Sequence, residues 1–332
     1  MKSTAVLGAG SWGTALAVHL ARADHDVRLW ARDTAFVDEL RSIRANERYL
    51  PGVRMPEGIT VTDSLQVALA DAAFVVVAVP SHGLRAVVRR AAPHIEPHAI
   101  LVSATKGIEV DSLQRMSQVI EAEAAGCRTV VLSGPSFALE VARGLPTAVL
   151  IASADQAAAV AVQERFRGRG LRLYVTEDVA GVEVGGALKN VIAIAAGCVE
   201  GLGLGHNALA ALITRGLAEM SRLALAEGGR RDTLAGLSGL GDLVLTCTGD
   251  LSRNRKVGIE LGRGRGVDEI LAGMRMVAEG VRTTRAALAL GARHGLELPI
   301  AAQMQAVLDG HCSPLSAVEA LMLRRQRPEA DG

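Results

Sequence analysis

Short apolar runs rich in β-branched residues alternate with helical patterns over the first half of the chain. The runs cover residues 4–7, 27–30, 74–79, 100–103, 129–132, 148–151 and 171–175. Amphipathic or Ala-rich segments of helical periodicity separate them, as is typical of a parallel sheet covered by helices on both faces. The run at 74–79, FVVVAV, lacks polar alternation and therefore predicts a central strand buried on both faces.

The strand pattern stops after Asp178, and helical patterns follow, separated by the glycine-containing breaks GLGLGH, EGGRRD, GDLVLTCTGD and GRGRG. The apolar stretch at 184–199 is interrupted by Lys189 and is shorter than the roughly 20 residues that span a bilayer. It predicts a buried helix and no stable membrane insertion. We therefore expect an α/β domain with a mostly parallel sheet at residues 1–178, followed by an all-α domain at residues 179–332.

Composition narrows the class of protein. A chain of 332 residues with 49% hydrophobic and 21% charged residues fits about two globular domains. A net charge of +1 and 2% aromatic residues provide neither the basic surface nor the stacking side chains of a nucleic-acid-binding protein. The start MKSTAVLGAG enters a strand directly, without a signal segment, and predicts a cytoplasmic protein.

The four cysteines show no spacing typical of a metal site. Cys127, Cys198, Cys247 and Cys312 are far apart and form no CxxC or Cys/His pair, so we expect them to be reduced and buried. No metal is predicted.

The first strand leads into a GxGxxG motif formed by Gly8, Gly10 and Gly13, with Ser11 and Trp12 between them, and a helix follows. In this βαβ context the motif is typical of a Rossmann dinucleotide-binding domain. Gly8 makes the turn, Gly10 lets the backbone approach a pyrophosphate, and Gly13 lets the helix pack on the strand. A plain tight turn is the alternative interpretation.

The end of the second strand offers two residues that bear on cofactor choice. An acid there binds the ribose 2′-hydroxyl of NAD, whereas an arginine accommodates the 2′-phosphate of NADP. Arg32 comes first after the strand and favours NADP, while the next residue, Asp33, keeps NAD open.

Polar residues also follow two later strands. Lys106 lies at the carboxyl end of the strand at 100–103, where ligands bind in open α/β sheets, although a surface lysine explains it equally well. Gly134 and Ser136 follow the strand at 129–132. Their backbone N–H groups could bind a ligand oxygen, and helix capping explains Ser136 equally well.

The predicted helical domain contains two further candidate segments. Lys189 stands among small apolar residues, where a buried lysine needs a partner or a function unless its stem carries the charge to solvent. The stretch at 239–254 combines an acid, hydroxyls, an arginine and an asparagine, a mixture that a purely structural loop seldom needs.

Together these segments resemble NAD(P)-dependent glycerol-3-phosphate dehydrogenases of the bacterial biosynthetic type. The resemblance runs nearly end to end through GAGSWGTALA, LWARD, NERYLPG, SATKGIE, LSGPSFALEVARGLPTAV, EVGGALKNVIAIAAGCVEGLGLGHNALAALITRGLAEM, GLSGLGDLVLTCTGDLSRNRKVG and VAEGVRTT. It implies reversible reduction of dihydroxyacetone phosphate to sn-glycerol 3-phosphate, a precursor of glycerophospholipids, with NADP and also NAD as cofactor. A homodimer is the family expectation.

The resemblance also implies residue roles. Lys189 is implied as the catalytic base for alcohol oxidation, and desolvation and a nearby cation such as Lys106 would lower its pKa towards neutrality. The implied catalytic set is Lys189, Lys106, Asp242 and Thr246. The implied substrate-binding set is Lys106, Gly134, Ser136, Lys189, Asn190, Asp242, Ser252, Arg253 and Asn254. The cofactor-binding set is Gly8, Gly10, Ser11, Trp12, Gly13, Arg32, Tyr49, Lys106, Ala138, Arg253, Val277 and Glu279.

Two other interpretations remain. A β-hydroxyacid or ketopantoate-type reductase has the same two-domain plan and also uses a lysine of the second domain, although the SRN segment at 252–254 favours a phosphorylated substrate. A dinucleotide-binding sensor without catalysis would not require Lys106, Lys189, Asp242 and Arg253 together.

Overall fold

The computed structural model describes residues 3–23, 25–274, 277–326 and 328. These residues group into two compact units. The first consists of the chain up to Lys106 and of Met116–Val179, and the second of Gly107–Arg115 and the chain from Ala180 onwards. The chain passes finally from the first unit to the second between Val179 and Ala180, one residue from the expected boundary. The excursion at Gly107–Arg115 was not expected, because we assigned it to the first domain.

The first unit is built on one eight-stranded sheet. Its strands are β1 Ser3–Leu7, β2 Val27–Trp30, β3 Ile59–Thr62, β4 Ala72–Val77, β5 Ile100–Ser103, β6 Arg128–Ser133, β7 Thr147–Ala152 and β8 Leu171–Thr176. The strand order is β3-β2-β1-β4-β5-β6-β7-β8, and only the β6–β7 pair is antiparallel. The prediction of a mostly parallel Rossmann-type sheet is confirmed.

Among the described residues, seven α-helices accompany the sheet, namely α1 Ser11–Arg22, α2 Thr34–Ile43, α3 Leu65–Leu69, α4 Ser81–Ala91, α5 Met116–Glu123, α6 Ala138–Ala142 and α7 Gln156–Phe166, and a short 3-10 helix Ala92–His94 follows α4. Successive strand residues point to opposite faces of the sheet. In β4, Val76 therefore joins one apolar core and its neighbours Val75 and Val77 join the other. This confirms the prediction that the central strand is buried on both faces.

Among the described residues of the second unit, the regular elements are all helices, and an isolated antiparallel bridge joins Ile108 to Arg115. This confirms the expected all-α domain. Its helices are α8 Val179–Gly201, α9 Gly205–Ala226, α10 Arg231–Ala235, a π-helical segment Leu237–Gly241, α11 Asp242–Thr248, α12 Arg253–Gly262, α13 Val267–Ala272, α14 Glu279–Arg293, α15 Pro299–Leu308 and α16 Pro314–Met322. Among the described residues, α8 is the one helix long and apolar enough to cross a membrane, and its apolar stretch is entirely buried in the protein.

Helices α8 and α12 pack with their backbones in direct contact. A Cβ atom added to Gly258 would lie 1.9 Å from the carbonyl oxygen of Ile194, and one added to Gly197 would lie 2.0 Å from that of Arg255. No side chain larger than hydrogen fits at such distances. The glycines therefore fix the register of α12 on α8 and, with it, the position of the α12 N-terminus along α8.

Several sequence-based predictions were wrong in detail. Strand β3 was missed because it is a four-residue edge strand with an exposed Thr60. The segment GDLVLTCTGD, predicted as a glycine break, contains the helix α11. There Leu243 and Cys247 are buried in the core, and this packing outweighs the weak helix propensity of the β-branched residues.

All four cysteines are free, as expected, but only two of them are buried. Cys198 and Cys247 lie in the core of the second unit, whereas Cys127 and Cys312 are partly exposed. The expectation that all four are buried was therefore wrong.

Candidate active site

The glycine-rich turn between β1 and α1 is shaped for close backbone approach. Gly8 has a φ of +115°, and a Cβ there would lie 2.6 Å from the Ala78 carbonyl oxygen. A Cβ on Gly13 would lie 1.9 Å from the Gly8 carbonyl oxygen, whereas none of the surrounding heavy atoms lies within 4 Å of one on Gly10. No side chain caps the N-terminus of α1, so its end offers N–H groups and positive dipole to an anion. The turn fits a dinucleotide pyrophosphate.

A buried asparagine that the sequence analysis missed holds this turn in place. Asn46 is 0% exposed, and its Nδ2 donates to the Ala9 carbonyl oxygen at 2.9 Å and to Thr14 Oγ1 at 2.7 Å. Its Oδ1 accepts the Tyr49 N–H at 3.0 Å. Asn46 is the first residue of the segment NERYLPG, and the resemblance of that segment to the family was the one sign in the sequence that it matters.

The two residues that bear on cofactor choice differ in their contacts. Asp33 is the N-cap of α2, and its Oδ1 accepts the Phe36 N–H at 3.0 Å. Arg32 is exposed, and within the described chain its guanidinium makes no ion pair. A helix cap is thus the observed role of Asp33, whereas Arg32 remains an exposed cation next to the end of β2.

Three predicted residues meet near the carboxyl ends of β5 and β6. Lys106 Nζ donates to the Gly134 carbonyl oxygen at 3.0 Å, and Ser136 Oγ donates to the same oxygen at 2.9 Å. Gly134 has a φ of +126° and lies against Val149, where a side chain would be strained. Phe137 is the N-cap of α6 and has no side-chain cap, so helix capping by Ser136 is excluded.

In the second unit, Lys189 on α8 meets Asp242 and Thr246 on α11. Lys189 Nζ donates to Asp242 Oδ1 and, at 2.9 Å, to Thr246 Oγ1. Thr246 Oγ1 in turn donates to the Asp242 backbone carbonyl oxygen at 2.6 Å. The residues are 6%, 1% and 4% exposed, so this is a buried ion pair with a hydroxyl bound to it. The lysine does not escape to solvent.

The thiol next to this pair is not activated. Burial raises the pKa of Cys247 to about 12, and the Lys189 ammonium only partly opposes that shift. The thiol is therefore protonated at neutral pH, in agreement with a packing role. Within the described part of the chain, no three His, Cys, Asp or Glu side chains gather as a metal site would require.

Asn190 and Asn254 connect three helices of the second unit. Asn254 Nδ2 donates to Asn190 Oδ1 at 2.9 Å, which ties α12 to α8. Asn254 Oδ1 accepts the Gly280 N–H at 3.0 Å, which ties α12 to α14. Gly280 has no space for a side chain, because a Cβ would lie 2.5 Å from the Asn190 carbonyl oxygen. Half of the amide's capacity is thus used internally, and the other Nδ2 hydrogen remains for a ligand.

The start of α12 places two further predicted residues. Ser252 is the N-cap of α12, and its hydroxyl accepts the Arg255 N–H at 3.2 Å. Arg253 is partly buried, and burial lowers the pKa of its guanidinium while the charge of Glu279 opposes the shift. Arg255 is instead paired with Glu200 at 2.7 Å and with Asp250 at 3.1 Å.

The remaining predicted cofactor residues also have defined places. Ser11 Oγ donates to the Tyr49 carbonyl oxygen at 2.6 Å, which joins the glycine-rich turn to residue 49. Ala138 begins α6 in the first unit, while Val277 precedes α14 and Glu279 begins it in the second. The indole Nε1 of Trp12 is buried without a hydrogen-bond partner among the described residues.

Comparison with known proteins covers nearly the whole chain. The family model described as NAD-dependent glycerol-3-phosphate dehydrogenase N-terminus matches residues 3–159, and the C-terminus model of the same family matches residues 178–319. A protein named glycerol-3-phosphate dehydrogenase [NAD(P)+] from Acidobacterium capsulatum is 53% identical over 99% of this chain and 100% of its own length. A relative of the same name from Koribacter versatilis is 52% identical, with 99% of each chain covered.

Solved structures agree with these matches. The crystal structure of glycerol-3-phosphate dehydrogenase from Coxiella burnetii is 41% identical and superposes with a TM-score of 0.94, covering 97% of this chain and 99% of that one. A ketopantoate reductase from Ralstonia eutropha, covering 93% of this chain and 99% of its own, has 15% identity and a TM-score of 0.61, so it shares the fold alone. The chain belongs to the NAD-dependent glycerol-3-phosphate dehydrogenase family.

Proposed function

We propose that this protein reversibly reduces dihydroxyacetone phosphate to sn-glycerol 3-phosphate with NADPH, and with NADH as a second cofactor. The observation that carries this proposal is the buried group of Lys189, Asp242 and Thr246, found in a chain whose relatives are named glycerol-3-phosphate dehydrogenase [NAD(P)+]. A sensor would have no use for a buried ammonium held by a carboxylate and a hydroxyl, since burial of the charge is costly.

When bound at the glycine-rich turn, the nicotinamide cofactor would supply or accept the hydride. Lys189 moves the proton: in the reducing direction its ammonium donates a proton to the former carbonyl oxygen, and in the oxidising direction its amine takes the proton from the alcohol. Asp242 stabilises the ammonium, and Thr246 fixes the direction of its N–H bonds. The carboxylate and the hydroxyl thus hold the nitrogen that carries the proton in a fixed position.

Arg253 is our candidate for the substrate phosphate. Its guanidinium presents a planar fork of donors that can hold two phosphate oxygens. Asn254 supports it with its remaining N–H, and Ser252 supports it through the N-terminus of α12. The other substrate contacts assigned by resemblance are Lys106, Gly134, Ser136, Lys189, Asn190 and Asp242.

The cofactor is proposed to bind the glycine-rich turn of the first unit. Gly8, Gly10, Ser11, Trp12 and Gly13 hold the pyrophosphate, and Arg32 meets the 2′-phosphate. The cap made by Asp33 supports NADPH over NADH. The remaining contacts assigned by resemblance are Tyr49, Lys106, Ala138, Arg253, Val277 and Glu279.

The wider role follows from this reaction. We infer that the first domain, residues 1–178, binds the cofactor and that the second, residues 179–332, carries the lysine chemistry. The protein acts in the cytoplasm as a homodimer and supplies glycerol 3-phosphate for glycerophospholipid synthesis.

A turnover assay tests the proposal. NADPH and NADH absorbance are followed with dihydroxyacetone phosphate, ketopantoate or a β-ketoacid as substrate, and the product is identified by its stereochemistry. The proposal expects sn-glycerol 3-phosphate, with NADPH used at least as well as NADH. Turnover of ketopantoate alone would establish the rival reductase, and absence of turnover with every substrate would establish a sensor.

A further inference from the structure

Arg48 carries an exposed cation beside the cofactor turn, and no role has been assigned to it. The guanidinium lies over the rings of Phe36, at 5.6 Å from the ring centroid, and Tyr49, at 5.2 Å. Among the described residues it has no carboxylate partner within salt-bridge distance. The carboxylate of the adjacent Glu47 instead accepts the Gly52 N–H at 3.3 Å.

The two rings fix where this cation stands. Phe36 and Tyr49 pack edge to face with centroids 5.5 Å apart. Tyr49 is joined to the glycine-rich turn through Ser11. Phe36 lies in the first turn of α2, and its backbone N–H donates to Asp33, the N-cap of that helix. Arg48 is therefore anchored to the same two elements, the turn and the start of α2, that flank the end of β2.

The end of β2 is where doubly wound folds hold the ribose of an adenine dinucleotide. We propose that Arg48 is a second determinant of NADPH binding and that it holds the 2′-phosphate together with Arg32. An arginine stacked on aromatic rings keeps its planar face fixed and its N–H edge available for phosphate oxygens. Two unpaired cations match the charge of a phosphate monoester, close to −2 at neutral pH. This assignment rests on the proposed use of NADPH.

The test measures binding to the whole protein by calorimetry, without turnover. The probes are adenosine 2′,5′-bisphosphate, which carries the 2′-phosphate, and adenosine 5′-monophosphate, which lacks it. The variants are Arg48→Ala and Arg48→Lys. Arg90→Ala is the matched control, because it also removes an exposed arginine. Helix α4 starts at the carboxyl end of β4, so Arg90, at the other end of the helix, lies away from the edge of the sheet where the cofactor is proposed to bind.

We expect Arg48→Ala to weaken the bisphosphate about tenfold or more while changing the monophosphate less than about twofold, since a charge-assisted hydrogen bond is lost. Arg48→Lys should recover part of the loss, and Arg90→Ala should change neither probe. An equal loss for both probes would assign Arg48 to the fold or the adenine, and no loss would remove it from the site; each result overturns the proposal. If the native protein itself fails to distinguish the probes, the preference for NADPH fails as well.

Discussion

Lys189 and Asp242 form a hydrogen-bonded ion pair inside the second unit, on helices separated by 53 positions in the sequence. With 6% and 1% exposure, neither charge is screened by water as a surface pair would be. A buried pair of this kind is weak evidence of stability, because desolvation offsets most of the attraction. The pair holds an ammonium at a fixed place, which is what the proposed proton delivery to a carbonyl oxygen requires.

Asp242→Asn should reduce kcat about 100-fold or more with dihydroxyacetone phosphate, because it leaves Lys189 buried without its counter-charge. Asp250→Asn is the matched control, since Asp250 is 96% exposed and its pair with Arg255 lies at the surface. Steady-state rates of both variants across pH measure the difference. Equal rates for the two variants would show that Asp242 has no part in proton transfer.

Arg253→Ala should lower kcat/KM for dihydroxyacetone phosphate about 10- to 150-fold, corresponding to a loss of about 1.5 to 3 kcal/mol from a charge-assisted contact. Activity with unphosphorylated dihydroxyacetone should change little. Arg255→Ala provides the control. It also removes an arginine charge, two residues further along α12, but Arg255 is paired with Glu200. NADPH affinity is measured in each variant, and an equal loss for both substrates would contradict a phosphate contact.

Gly258→Ala should destabilise the protein by about 1 to 3 kcal/mol, because overpacking a closed contact forces the backbones apart. The new methyl group would meet the Ile194 carbonyl oxygen at 1.9 Å. Gly83→Ala serves as the control, since Gly83 also lies inside a helix, α4, and no heavy atom lies within 4 Å of its Cβ. Urea unfolding of both variants decides the question, and equal midpoints would show that α12 tolerates a shift.

Glu219 should make stability depend on pH. Burial raises the pKa of this carboxyl from 4.5 to about 7, although the Ile300 and Ala301 N–H groups and the charges of Arg222 and Arg324 oppose the shift. The folded state therefore holds a proton that the unfolded chain has lost. The free energy of unfolding falls as pH rises from 4.5 to about 7, and the loss is complete above that pH.

Glu219→Gln should remove this slope. The difference in free energy of unfolding between the variant and the native protein should therefore favour the variant more at about pH 8 than at about pH 5. Urea unfolding at both pH values measures it. Glu319→Gln is the control, because Glu319 is exposed on α16. A slope unchanged in Glu219→Gln would show that other groups set the pH dependence.

Local patterns predicted the parts of the fold that local physics decides. Seven of the eight strands and the buried α8 follow from runs of apolar residues, and the turn at Gly8, Gly10 and Gly13 follows from backbone conformation. The excursion at Gly107–Arg115 could not be predicted this way. It belongs to the second unit because Ile108 joins that core and Arg115 pairs with Glu183 at 2.6 Å, both of which are long-range contacts.

The candidate site shows the same division. A lone lysine among apolar residues indicated Lys189, but its partners come from α11, a segment whose helix was not predicted. Asn46 and the bridge from Asn254 to Gly280 depend on separations of 26 residues or more. Such hydrogen bonds leave no periodic pattern in a sequence. Family resemblance alone pointed to the segment of Asn46, and the mixture of polar residues at 239–254 pointed to Asn254 without showing its partners.

The turnover of Lys189→Ala shows whether Lys189 moves the proton. The rate with dihydroxyacetone phosphate and NADPH is measured in the purified variant, with adenosine 2′,5′-bisphosphate binding as the check that the first unit is intact. We predict a fall in kcat of about 100- to 10,000-fold with nearly native binding of the bisphosphate. Near-native turnover would show that the Lys189 amine has no part in proton transfer.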